Sequence, residues 1–132
     1  MEFLINTRRL IGHVLFWYTF ALLLGTHLPR DAIVDLNERD KAVHFVAYLG
    51  LSLLSFAYRT ARIRSWHSNC LTLAFVLVIF ATVDESTQRF SPGRLSTVSD
   101  WVANCCGISF GTIVWALLKR RQASVNLSLI HI

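Results

Sequence analysis

Charge is scarce in this sequence. Only 16% of its 132 residues are Asp, Glu, Lys or Arg, against about 25% in an ordinary soluble domain. With 54% hydrophobic residues and a mean hydropathy of +0.48, the shortage excludes a water-soluble globule. Cysteine chemistry is equally thin. Cys70, Cys105 and Cys106 all lie inside apolar stretches, with no C-x-x-C and no Cys/His metal spacing. Neighbours such as Cys105 and Cys106 bridge poorly, so the three are expected to pack as small apolar residues. A basic face with interleaved aromatics is also missing, so the net charge of +5 does not point to nucleic acid. A single domain over residues 1–126 is the expected organisation.

What the chain does have is four long apolar stretches, from about Leu10 to Leu28, Lys41 to Tyr58, Ser65 to Gln88 and Asp100 to Leu118. Each approaches the roughly 20 residues a helix needs to cross a bilayer core. In the third, the purely apolar part, Cys70 to Val83, is too short at about 1.5 Å per residue. Its flanks must enter the membrane, which places Asp84 and Glu85 near the hydrocarbon edge. The first stretch follows Arg8 and Arg9 but leaves through Thr26-His27-Leu28-Pro29, without a small-x-small cleavage site, and reads as a retained helix rather than a signal peptide. The fold class is therefore an all-α integral membrane bundle of four transmembrane helices.

Basic residues orient it. Arg8, Arg9, Arg59, Arg62, Arg64, Lys119, Arg120 and Arg121 fall on one side, opposed only by Glu2. The other side carries Arg30, Arg39, Lys41, Arg89 and Arg94 against Asp31, Asp35, Glu38, Asp40, Asp84, Glu85 and Asp100. The sides carry +7 and −2, which make up the whole net charge. Short positive loops stay in the cytoplasm, so both termini are expected there. Trp17, Tyr18, Trp66, Trp101 and Trp115 are the aromatics available for interfaces, with Trp17 too deep for that role. The last six residues, Leu127-Ser128-Leu129-Ile130-His131-Ile132, match the translation of a transposon-based sequencing adapter. Residues 127–132 are accordingly read as a non-native tail, and His131 carries no functional weight.

Three polar clusters interrupt the apolar stretches. Asp40, His44 and Tyr48 are spaced four apart on the second, one face with each residue a turn deeper. Asp84, Glu85 and Gln88 close the third, and Asp100 and Asn104 open the fourth, followed by Gly107 and Gly111. With both termini on one side, all three clusters meet at the opposite membrane face. Ionisable groups in spanning segments cost about 2.5–3.5 kcal/mol each at the centre and usually mark a site. A turn at Pro92-Gly93 would hold Arg94 above them. Plainer roles exist for each: helix capping for Asp40 and Asp100, a bonded core histidine for His44, a packed aromatic for Tyr48. Arg94 can serve as an internal ion pair or a substrate clamp. Gly107 and Gly111 form a small-xxx-small pair that lets helices approach, while His13 has no local partner.

Asp40-Lys41-Ala42-Val43-His44-Phe45-Val46-Ala47-Tyr48 resembles the D-K-x-x-H-F-x-x-Y signature of VanZ-like membrane proteins. Asp84 to Arg94 resembles that family's D-E-x-x-Q-x-F-x-P-x-R segment, and Asp100-Trp101-Val102-Ala103-Asn104 with Gly107 and Gly111 is similar to its ending. The resemblance spans about Leu10 to Leu118 and departs at no motif position. The family takes its name from a member associated with low-level teicoplanin resistance, so it implies a cell-envelope role without specifying a reaction. Two functions compete. In one, a membrane enzyme acts on a lipid-linked or cell-wall substrate at the outer leaflet. His44 beside Asp40 is then the general acid/base, Asp84, Glu85 and Asp100 supply a second acid/base group or a cation site, and Arg94 clamps a phosphate or carboxylate, with Tyr48, Gln88 and Asn104 contacting substrate. Such oxygen ligands suit Mg2+ or Ca2+. In the other, the same cluster holds a precursor, a glycopeptide or a partner without turnover. Transport is the weakest option, since four helices enclose little path without oligomerisation.

Overall fold

The computed structural model describes residues 2–28, 40–60, 70–94 and 96–130, with side chains unassigned for residues 2–5, 123 and 126–130. The expectations for Arg30, Asp31, Asp35, Glu38, Arg39, Arg62, Arg64, Trp66 and His131 lie outside the described residues. Four helices follow one another: α1 Glu2–His27, α2 Asp40–Thr60, α3 Cys70–Gln88 and α4 Val98–Ile130. All four contain spans long and apolar enough to cross a membrane, Asn6–His27, Asp40–Thr60, Cys70–Gln88 and Val98–Gln122. No strand occurs among the described residues.

The third ends at Gln88, where the apolar stretch was expected to end, and so carries Asp84, Glu85 and Gln88 within the span. The fourth begins two residues earlier than the apolar pattern. Thr97 caps it: the Asp100 amide donates to Thr97 Oγ1 at 3.2 Å, and Thr97 Oγ1 donates to Asp100 Oδ2 at 2.5 Å. This reciprocal pair resembles a capping box with Asp in place of Glu. The cap expected of Asp100 is thus shared, with Thr97 as the capping residue and Asp100 in the first turn.

Burial is inverted relative to a soluble protein. Large apolar side chains such as Phe16, Phe20, Leu71, Phe75 and Ile113 are exposed, Leu71 by 80%. His44, Ser52, Ser55, Asp84, Glu85, Gln88, Asp100 and Asn104 are buried. Among the described residues these eight polar side chains outnumber the seven buried hydrophobic ones, Leu22, Tyr48, Leu51, Phe56, Leu77, Ala81 and Ile108. Lipid around the bundle accounts for both halves of the pattern.

The most intimate pair is α2 with α4, and glycine makes it so. A Cβ on Gly107 would overlap the Phe45 carbonyl oxygen and stand 2.9 Å from the Leu49 nitrogen. On Gly111 it would meet Ser52 Oγ at 2.7 Å. Ser52 Oγ, one turn into the same contact, donates to the Ile108 carbonyl at 3.2 Å. The expected small-xxx-small contact is therefore a backbone-on-backbone seam. On the other flank Tyr18 Oη donates to the Ala47 carbonyl at 2.8 Å over Gly50, tying α1 to α2. The cysteines form no disulfide.

Candidate functional site

The three polar clusters converge at one end of the bundle, as their spacing anticipated. The turn between α3 and α4 closes over that end. Ser91 O accepts the Arg94 amide at 3.2 Å, with Pro92 and left-handed Gly93 at φ 73 between them. Proline followed by a positive-φ glycine suits a type II turn.

Asp84 sits deepest with Tyr48, and three donors meet its carboxylate. Tyr48 Oη donates to Oδ2 at 2.7 Å, Gln88 Nε2 to the same oxygen at 3.2 Å, and Thr26 Oγ1 to Oδ1 at 2.9 Å. His27 Nδ1 lies 3.7 Å from Oδ1, and its Nε2 is 3.0 Å from Thr87 Oγ1. Tyr48 and Asp84 are both essentially inaccessible. Glu85 is spoken for too: the Thr97 amide donates to Oε1 at 2.9 Å and Gln88 Nε2 to Oε2 at 3.4 Å. Glu85 thereby pins the start of α4 to the end of α3. Both carboxylates are thus engaged by neutral donors from the helices around them.

Nearer the rim, His44 Nδ1 lies 3.0 Å from Asn104 Oδ1, both side chains buried. An amide oxygen only accepts, so Nδ1 donates and the neutral ring keeps its lone pair on Nε2. That nitrogen faces Asp40 Oδ1 at 3.8 Å. One donor atom each from Asp40, His44 and Asp100 falls within 4.8 Å of the others. Asp40 is the open edge, with 35% of its side chain exposed. Asn104 Nδ2 is buried without a hydrogen-bond partner among the described residues.

Arg94 reaches across the turn to the end of α1. Its Nη2 donates to the Gly25 carbonyl at 2.9 Å, Nε to the Leu28 carbonyl at 3.1 Å, and Nη1 to Gln88 Oε1 at 3.4 Å. It caps the C-terminus of α1, where unsatisfied carbonyls and the negative end of the helix dipole attract a cation. Among the described residues no Arg or Lys lies within ion-pairing distance of a site carboxylate; the pairs present involve His27 and His44.

Matching these elements against protein-family models decides the lineage. Residues 5–119 match the VanZ/LLP1 model. The chain belongs to the VanZ/LLP1 family. No curated protein and no solved structure matches it. Within this VanZ/LLP1 chain, the residues that sequence reasoning missed are Thr26, His27, Thr87 and Thr97. Thr26-His27, a polar pair ending an apolar run, was the available signal, but nothing local indicated that α1 would meet Asp84. Trp101 Nε1 donates to Thr82 Oγ1 at 3.0 Å on the exposed side of α3 and α4. His13 does find a partner, the Arg9 carbonyl at 2.6 Å from Nδ1. A cavity of about 590 Å3 among Arg8, Arg9, Gly12, His13, Phe16 and Tyr58 lies near the opposite end of α1. Eighteen residues separate Arg9 from His27, roughly 27 Å along the helix, so this space is no part of the polar site.

Proposed function

We propose that this VanZ/LLP1 protein works at the cell membrane with its polar end at the extracytoplasmic face, where it acts on a lipid-linked or cell-wall substrate. The orientation rests on Arg8, Arg9, Arg59, Lys119, Arg120 and Arg121, which lie within α1, α2 and α4 toward the end opposite the carboxylates. Short basic segments are retained in the cytoplasm. Both termini are then cytoplasmic, and the outer leaflet offers the site amphiphilic substrates whose polar heads reach its rim.

The observation that carries the reading is the Asn104–His44–Asp40 alignment. A histidine oriented on one nitrogen by a buried amide and presenting the other toward carboxylates at an open rim is a general base with its orienting group. A purely structural histidine would satisfy both nitrogens at hydrogen-bonding distance, and Nε2 does not. Tyr48, Asp84, Gln88, Glu85 and Arg94 are positioning residues in this scheme. They lock α1, α3 and α4 around His44, while Asp40, His44 and Asp100 face the substrate. Teicoplanin resistance is then the envelope phenotype of altered precursor handling.

The decisive experiment incubates purified protein with lipid-linked cell-wall precursors and follows new products by mass spectrometry. Turnover that disappears in His44→Gln supports catalysis; saturable binding without product supports a non-catalytic binder at the same site. In cells, His44→Ala and Glu85→Ala are expected to abolish the resistance phenotype while membrane levels stay at wild type. Unchanged resistance in both variants would remove the site in either form.

A further inference from the structure

We infer that Asp40, His44 and Asp100 bind one divalent transition-metal ion of the Mn2+ and Zn2+ class, an assignment that rests on the polar end being the working end and that makes His44 Nε2 a metal ligand in place of the general base. Three independent features carry it. The first is geometry. Donor atoms of the three residues lie within 4.8 Å of one another. Neighbouring ligands on an ion with bonds of about 2.0–2.2 Å sit about 3 Å apart, so shifts of an ångström or two close the set. Asp40, partly exposed at the helix start, is the side chain free to make that move.

The second feature is the buried bond behind the histidine. Metal-bound histidines characteristically donate their second N–H to a carbonyl or carboxylate, which fixes the tautomer and aims the other nitrogen. Asn104 Oδ1 stands in that place behind His44 at 3.0 Å. Asn104 is itself wholly inaccessible, with Nδ2 unpartnered among the described residues. The burial of this amide has no satisfactory return except through the bond that orients the imidazole.

The third feature is uncompensated charge. Asp40 and Asp100 share the rim, and among the described residues no Lys or Arg lies within ion-pairing distance of either. Arg94 spends its donors on the Gly25 and Leu28 carbonyls and Gln88 Oε1. Like charges gathered at a membrane edge are strongly unfavourable without a cation. A bound dication supplies it. Mg2+ and Ca2+ take oxygen ligands, whereas an imidazole among the donors shifts preference toward Mn2+, Fe2+ and Zn2+. The histidine thus revises the hard-cation expectation from the carboxylates alone.

Mn2+ provides the test, titrated into the full chain in detergent or nanodiscs and followed by the loss of the free-ion electron paramagnetic resonance signal. One equivalent per chain is expected, displaced readily by Zn2+ in line with the usual order of divalent affinities and poorly by Mg2+. Asn104→Ala is expected to weaken binding by about 10- to 100-fold. Asn104→Asp, which keeps an acceptor behind Nδ1, is expected to restore it. Asp40→Asn and His44→Ala are expected to weaken it further than Asn104→Ala does, and Cys106→Ser, on the lipid-exposed face, to leave it unchanged. Circular dichroism of each variant separates loss of the site from loss of the fold. Absence of stoichiometric binding, or equal binding in properly helical Asp40→Asn and His44→Ala, overturns the assignment. Precursor binding or turnover by protein that takes up no stoichiometric Mn2+ overturns the assignment and leaves the proposed substrate function standing.

Discussion

The α2–α4 seam makes a sharp forecast from a residue that carries no chemistry. A Cβ added at Gly107 would stand 2.9 Å from the Leu49 nitrogen and 3.3 Å from the Phe45 carbonyl carbon, and would overlap the Phe45 oxygen. All three are backbone atoms, so no side chain can swing aside. Ordinary contact at about 3.5 Å requires α2 and α4 to part by roughly 1 Å. Phe45 is next to His44, and Asn104 is one turn before Gly107, so the retreat opens the 3.0 Å His44–Asn104 bond to about 4 Å, beyond hydrogen-bonding range. Overpacking of this kind costs about 1–3 kcal/mol, and loss of an interhelical hydrogen bond in a membrane adds about 0.6 kcal/mol. Gly107→Ala is therefore expected to lower the unfolding free energy in mixed micelles by about 2 kcal/mol, near 30-fold in the equilibrium constant. Substrate handling should fall with it, although the methyl group touches no site residue. Gly25→Ala is the control, because a Cβ there meets nothing within 4 Å. If Gly107→Ala unfolds at the same denaturant concentration as Gly25→Ala, the seam is not packed as described and the reasoning fails.

Two further outcomes follow from the polar end. Tyr48→Phe removes one of three neutral donors to Asp84; because Thr26 and Gln88 remain, destabilisation should stay at the low end of the range for bonds to charged groups, about 1.5 kcal/mol. A loss several times larger in the same unfolding measurement would mean that Thr26 and Gln88 do not share the load. Arg94→Ala strips the guanidinium from the Gly25 and Leu28 carbonyls and should loosen α1 from the turn. Faster hydrogen exchange is expected at the end of α1 with little change in α2, and uniform protection across the bundle would refute the capping role.

The motif spacing carried a good part of the site. Residues four apart on a helix share a face whatever surrounds them, so Asp40, His44 and Tyr48 had to line one side of α2, and Asp84 and Gln88 one side of α3. The direct bond between Gln88 and Asp84 is that rule at work. Thr97 was less visible. Its capping role depends on where α4 begins, two residues before the apolar pattern, and helix starts follow hydrogen-bond closure rather than hydropathy.

Local composition determined the membrane bundle by itself: apolar runs near 20 residues have no other way to satisfy their backbone polar groups in lipid. It also set which residues are too polar to face that lipid. Tertiary structure alone decided their partners. Arg94 reaches back more than sixty positions to α1 carbonyls, and Asp84 bonds to Thr26 across 58. His44 is oriented by Asn104 rather than by Asp40. Those choices depend on how far apart rigid helices settle, and that distance is governed by a backbone contact at Gly107 and Gly111 that no periodicity along a single helix encodes.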